Sequence, residues 1–188
     1  DKAQVYKMMA WELEDCRPSQ LGEFTPNLLD LDDGERVIYI HSTTEPFKGE
    51  FLFVFENGKG VRVDASHYET IQRRRKLLNA YDASSPIVGV RYIPEGERPS
   101  FAVRSKKNKL LYFESNLVVK KATRTAQGAS ILRTRNQNDA LVELYSADEL
   151  SFIRDLDYYR IAKIPTAGRY IREESIEERQ LSLADTVL

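Results

Sequence analysis

The chain has 188 residues, 41% hydrophobic and 30% charged, with a formal net charge of -1. That length supports one substantial core or a few small stacked ones, and no apolar run approaches the roughly 20 residues of a membrane span. The single cysteine, Cys16, excludes an intrachain disulfide and a thiolate zinc site, and it fits a reducing, cytoplasmic setting.

The near-neutral total hides an uneven distribution. Residues 1–48 carry 5 basic and 10 acidic side chains, and residues 147–188 carry 6 and 9. Residues 49–94 carry 7 and 5, and residues 95–146 carry 10 and 5. Positive charge is concentrated in the middle of the chain, so a polyanionic partner is compatible with the neutral whole.

In chain order, Val5-Tyr6-Lys7-Met8 reads as a strand without its hairpin partner, and Asp1-Lys2-Ala3 falls where the hairpin turn would be. The chain is therefore expected to open inside a repeat whose incoming strand lies upstream. Asp32-Asp33-Gly34 is a turn by composition, and residues 36–41 read as a strand. Residues 50–55 and 60–63 are two strand-like runs joined through Asn57-Gly58, a strong hairpin signal because a type I′ turn needs positive φ at both central positions. Residues 87–93 read as a further strand, and Pro94-Glu95-Gly96-Glu97 as a turn. The hairpin layout recurs in residues 101–104 and 109–113 around Ser105-Lys106-Lys107-Asn108. Strands are also expected over 130–133 and 140–145. Ser146-Ala147-Asp148-Glu149 is a capping-box pattern that predicts a short C-terminal helix to about residue 157. One more strand over 158–164, the turn Pro165-Thr166-Ala167-Gly168 and a charged tail over 173–188 complete the reading.

These elements repeat. QVYKMMAWELEDCRPSQLG from Gln4, GVRVDASHYETIQRRRKLL from Gly60 and KLLYFESNLVVKKATRTAQG from Lys109 share one shape at intervals of about fifty residues. Each opens in a β-rich run and ends in a basic, turn-prone stretch, centred on Arg17, on residues 73–76 and on Arg124. A period of that size with several short strands per unit predicts propeller-like blades. The units run roughly over 1–48, 49–97 and 98–146, with a closing segment over 147–172. A basic stretch at one fixed place in each unit makes a multivalent surface rather than a catalytic pocket.

The candidate contacts follow from that periodicity. Arg73, Arg74, Arg75 and Lys76 form the densest basic run. Lys106, Lys107 and Lys109 lie in or beside a hairpin turn, and Lys120, Lys121 and Arg124 lie in the ending of the same unit. Lys59 and Arg62 are their equivalents in the second unit. Cations at regular intervals around a rim neutralise successive phosphates and release condensed counterions, which positions DNA without reading its sequence. In the first unit Glu12, Glu14 and Asp15 offset Lys2, Lys7 and Arg17, so little contact is expected there.

Other residues read as structural. His41 and His67 lack metal-ligand spacing, Cys16 is a small loop residue beside Arg17, and Trp11 is expected in a core or between blades. Gly58-Lys59-Gly60 lacks the spacing of a phosphate-binding loop. No nucleophile, base and acid come together in a hydrolase pattern. Two functions of different class remain open: a DNA-binding module, and a propeller-like protein-interaction scaffold favoured by the neutral charge and acidic ends.

The order of motifs resembles the C-terminal domain of the A subunit of bacterial type IIA topoisomerases (DNA gyrase and topoisomerase IV). The ending Val119-Lys120-Lys121-Ala122-Thr123-Arg124-Thr125-Ala126-Gln127-Gly128 is similar to the Ser-Arg-Thr-Ala-Lys-Gly ending of that family's blades. Gln4-Val5-Tyr6-Lys7-Met8 and Thr25-Pro26-Asn27-Leu28-Leu29 resemble the early part of a blade and its following strand. Tyr158-Tyr159-Arg160-Ile161-Ala162-Lys163-Ile164-Pro165-Thr166-Ala167-Gly168 resembles the ending of a Firmicutes-like branch. The resemblance implies an all-β fold, an incomplete β-pinwheel of about three to four blades that exchange strands, with duplex DNA bent or wrapped around a basic rim. It implies no bond chemistry here. The Mg2+, the ATP, the dimeric remainder of the A subunit and the ATPase B subunit belong to the complete enzyme. The family's gyrase box is absent: Gln72-Arg73-Arg74-Arg75-Lys76 lacks its glycines.

Overall fold

The computed structural model describes residues 1–44, 47–69, 76–133 and 138–173. Its strands, in chain order, are β1 (Val5–Tyr6), β2 (Glu50–Phe55), β3 (Lys59–Asp64), β4 (Lys76–Leu77), β5 (Ile87–Ile93) and β6 (Ser100–Ser105). They continue with β7 (Lys109–Glu114), β8 (Lys120–Lys121), β9 (Ala129–Ser130), β10 (Leu141–Ser146) and β11 (Arg169–Tyr170).

Two hairpins organise the chain. Gly58 takes φ +84° between β2 and β3, and Asn108 takes φ +57° between β6 and β7. Glycine reaches that region without a Cβ penalty, and asparagine is among the few other residues that tolerate it. A third strand flanks each hairpin on the same side, with β5 pairing antiparallel to β2 and β10 to β6. Ala3, at φ +53°, holds the corresponding place before β1, as expected for a strand entered through a turn.

Each sheet is finished by the unit that follows it. β4 of the second unit pairs with β1 of the first. β8 and β9 of the third unit both pair with β3 of the second. Arg160 makes an isolated parallel bridge to Tyr112 of β7, and β11 pairs with β7 farther on. The same turn carbonyl anchors every crossing. Ala80 N–H donates to Ala3 O at 2.8 Å, Ile131 N–H to Gly58 O at 2.8 Å and Ile171 N–H to Asn108 O at 3.0 Å.

Residues 52–55 of β2 are buried on both faces and read as an unbroken apolar run rather than an alternating one. Leu52 and Val54 point to a core shared with Phe101, Val103, Leu111 and Phe113 of the next sheet. Phe53, Phe55, Val61 and Val63 point the other way, to Ala3, Tyr68, Ala80 and Tyr81. A third cluster covers the far face of the last sheet with Leu150, Ile153 and Tyr159 against Ala102, Leu110 and Tyr112. Each fully buried large side chain contributes about 1.5–3 kcal/mol, so the sheets are held as a stack.

Several expectations are corrected. Residues 36–41 form no strand. Arg36 meets Asp1, with the Asp1 amino group donating to Arg36 O at 3.0 Å, and Tyr39 Oη accepts from Tyr92 N–H at 3.1 Å. Thr25–Leu29 is a short α-helix, α1, with Pro26 in its first turn, rather than a strand. The predicted C-terminal helix is replaced by two 3₁₀ turns, Ala147–Leu150 and Leu156–Tyr159. The capping box is present, with Ser146 N–H donating to Glu149 Oε2 at 2.6 Å, but Leu150, Ile153 and Tyr159 reach the sheet only if the backbone is tighter and interrupted. The strand over 158–164 reduces to the bridge at Arg160. Trp11 is 79% exposed and in no core.

Candidate nucleic-acid interface

The crossing segments carry the basic residues to the outermost strand of each sheet. β8 is the edge of the order β5-β2-β3-β8 and holds Lys120 and Lys121, both exposed. Lys120 Nζ lies 2.9 Å from Glu50 Oε1 and 2.9 Å from Asp64 Oδ2. Lys121 carries no ion pair among the described residues. Lys76, on the edge strand β4, lies 2.6 Å from Asp32 Oδ1 and 5.6 Å from the centre of the Tyr6 ring. Lys106 and Lys107 project from the β6–β7 turn, which is tied down by Lys107 N–H donating to Asp139 Oδ1 at 3.1 Å.

Four of the expected contacts have partners within the chain. Arg62 is 18% exposed and donates to Glu50 Oε2 at 2.7 Å and to the Val118 carbonyl at 2.8 Å. It stitches the crossing segment to β3. Arg124 turns back to the Asn79 carbonyl at 2.9 Å and the His67 carbonyl at 3.4 Å. Lys109 is buried, with its ammonium 5.1 Å from the Tyr170 ring centre. Lys59 donates to Gln127 Oε1. Arg73, Arg74 and Arg75 lie outside the described residues.

Sequence reasoning missed a basic cluster in the closing segment. Arg160 faces Tyr112 on β7 in the register by which Lys120 faces Arg62 on β3, both as parallel pairs. Its guanidinium lies 4.7 Å from the Tyr112 ring centre and 2.9 Å from Asp157 Oδ1. Arg169 and Arg172 stack on Tyr158 at 4.5 Å and 3.6 Å. Aligning the two endings, 118–128 on 158–168, carries this signal in the sequence.

Cations hold the neighbouring carboxyls ionised. Hydrogen bonding by Lys120 keeps Asp64 below the usual carboxylate range, Lys76 does so for Asp32, and Arg104 does so for Glu143. A depressed folded-state value stabilises the fold above the ordinary carboxylate pKa and loses that stabilisation as pH falls through the folded value. The melting temperature is therefore expected to stay level down to about pH 5 and to drop below about pH 4. Asp32→Asn, Asp64→Asn and Glu143→Gln together should flatten that acid limb in thermal melts. An unchanged limb would show that these pairs do not govern it.

Among the described residues, no group of three or more His, Cys, Asp and Glu could hold a metal ion. No helix of the described residues is long and apolar enough to cross a membrane.

No protein family matches the sequence, and no curated protein does. Solved structures do match. The C-terminal domain of DNA topoisomerase IV superposes with a TM-score of 0.64 at 23% identity, over 77% of this chain and 44% of that one. The E. coli ParC C-terminal domain gives 0.54 at 15% identity, over 82% and 68%. This chain is a β-pinwheel. A DNA gyrase A C-terminal domain gives 0.51 at 19% identity, over 79% and 46%. The pinwheel described here thus spans less than half the length of the topoisomerase IV and gyrase A chains that it matches. Strand exchange between successive blades accounts for the two-residue strands at each pinwheel edge.

Proposed function

We propose that this pinwheel binds duplex DNA along the outer edges of its blades, without sequence preference. In this reading it serves as a C-terminal part of the A subunit of a cytoplasmic type IIA topoisomerase. The carrying observation is that successive crossing segments bring a cation to the same register against β3 and then β7, Lys120 beside Arg62 and Arg160 beside Tyr112. The likeness to C-terminal domains of DNA topoisomerase IV and gyrase A supports it. Lys106, Lys107, Lys120, Lys121, Arg160 and the run Arg73, Arg74, Arg75 and Lys76 are the proposed phosphate contacts. Lys59, Arg62, Lys109 and Arg124 position them. Bending a short duplex costs on the order of 1–6 kcal/mol, which several phosphate contacts offset. The pinwheel contributes no bond chemistry. It holds a DNA segment for a cleavage domain elsewhere in the A subunit, which works as a dimer with an ATP-hydrolysing B subunit.

A salt series on a long duplex of arbitrary sequence tests this. The logarithm of the binding constant should fall linearly with the logarithm of salt. Lys106→Ala, Lys107→Ala and Lys121→Ala together should lower the slope by about three. Absence of binding at low salt would overturn the reading. It would favour a protein-docking scaffold, for which exposed Trp11, Leu21 and Phe24 in the first unit offer an apolar surface.

A further inference from the structure

The three crossing segments share a second property. In each, a cation on the outer edge is already held by a carboxylate. Lys76 is held by Asp32 at 2.6 Å, Lys120 by Asp64 at 2.9 Å and Arg160 by Asp157 at 2.9 Å. The carboxylates come from three different kinds of place: the turn after α1, the end of β3 and the last 3₁₀ turn. Their recurrence therefore does not come from one repeated motif. All three are substantially exposed, with side-chain accessibilities of 47%, 35% and 80%. A phosphate approaching any of these cations meets a fixed negative charge within one ion-pair distance.

We propose that Asp32, Asp64 and Asp157 are internal competitors of phosphate, which lower the affinity of the rim and keep its hold on DNA reversible. The inference rests on the DNA-binding reading and adds a tuning device to it. An exposed ion pair is weak enough to open when phosphate arrives, yet the displaced carboxylate stays nearby and repels the DNA. Cations and competing anions thus lie side by side along the rim, and the net contribution of each contact is smaller than its charge suggests. Glu50 is not one of these competitors, because its carboxylate also holds Arg62 at 2.7 Å.

The test compares two triple variants of the whole chain with equal charge change. Asp32→Asn, Asp64→Asn and Asp157→Asn remove the competitors and keep a hydrogen-bond acceptor at each site. At Asp64 that acceptor also caps the following 3₁₀ turn through Ser66 N–H. Glu95→Gln, Glu97→Gln and Asp148→Asn remove three exposed carboxylates elsewhere. Binding to the same arbitrary-sequence duplex should tighten about tenfold more in the first variant than in the second, with a steeper salt dependence. Asp157→Asn alone, at the most exposed of the three sites, should tighten binding about twofold. If the parent chain binds and both triple variants gain equally, or the first gains nothing, the competitors are overturned while DNA binding stands. If neither the parent nor any variant binds duplex, the functional reading fails and this inference falls with it.

Discussion

Gly128→Ala is expected to release the crossing segment of the third unit from β3 and to cost at least about 3 kcal/mol of stability. Gly128 has φ +74°, and a Cβ there would sit 2.0 Å from the Gly60 carbonyl oxygen. A flexible side chain could swing away from such a contact, but a backbone carbonyl inside a ladder cannot. Gly96→Ala separates the two effects. Gly96 has φ +78° and nothing within 4 Å, so alanine there should cost only the conformational penalty, about 1 kcal/mol. Urea unfolding gives the difference between the two. Amide exchange at Ile131 and Leu132, which donate to Gly58 O at 2.8 and 3.0 Å, should accelerate only in the Gly128 variant. Equal midpoints for the two variants would show that the close approach at Gly128 is relaxed at no cost.

Arg62→Ala should act on stability far more than on DNA. The substitution leaves the half-buried Glu50 with Lys120 alone and the Val118 carbonyl without its side-chain donor. Leaving such groups unpaired costs about 2 kcal/mol, discounted for partial exposure. Lys121→Ala removes a cation from the same edge with no ion pair to break, so its midpoint should stay within about 0.5 kcal/mol of the parent. Its salt slope should drop by about 0.9. Thermal melts and a salt series on both variants give opposite patterns if Arg62 is a stitch. Matching patterns would make Arg62 a rim residue like Lys121.

The hairpins were legible because their cause is local. Each turn closes through one positive-φ residue, Gly58 or Asn108, rather than through the two that a type I′ turn needs, and apolar runs on either side supply the strands, so β2, β3, β5, β6, β7 and β10 all fall within one or two residues of their sequence positions. The crossings were harder to place. Lys120-Lys121 has no strand propensity, and it becomes a strand only because the β3 edge offers backbone partners. Residues 36–41 show the converse, since a strand-like sequence without a partner at its edge stays unpaired. Among the site residues, the basic periodicity was visible. Which cations reach the edge and which turn inward depends on partners far along the chain, such as Val118 for Arg62 and Asn79 for Arg124. No short-range pattern encodes that choice. The last basic cluster is harder to read for a related reason: Arg160 follows a 3₁₀ turn in place of the predicted helix and strand, so aligning the two endings suggests its register and the bridge to Tyr112 fixes it.

Because each blade borrows its outer strand from its successor, synthesis and completion run out of step. Lys59 of β3 waits for Ser130 of β9, about seventy residues later. At roughly 5–20 residues per second, a ribosome leaves that edge open for several seconds after the hairpin itself has emerged. During that interval the apolar faces of β2 and β3 are available to a neighbouring nascent chain as readily as to their own continuation. A pause in translation between residues 64 and 118 would therefore lengthen the exposure of the second blade, and the yield of folded protein would depend on elongation rate as well as on final stability.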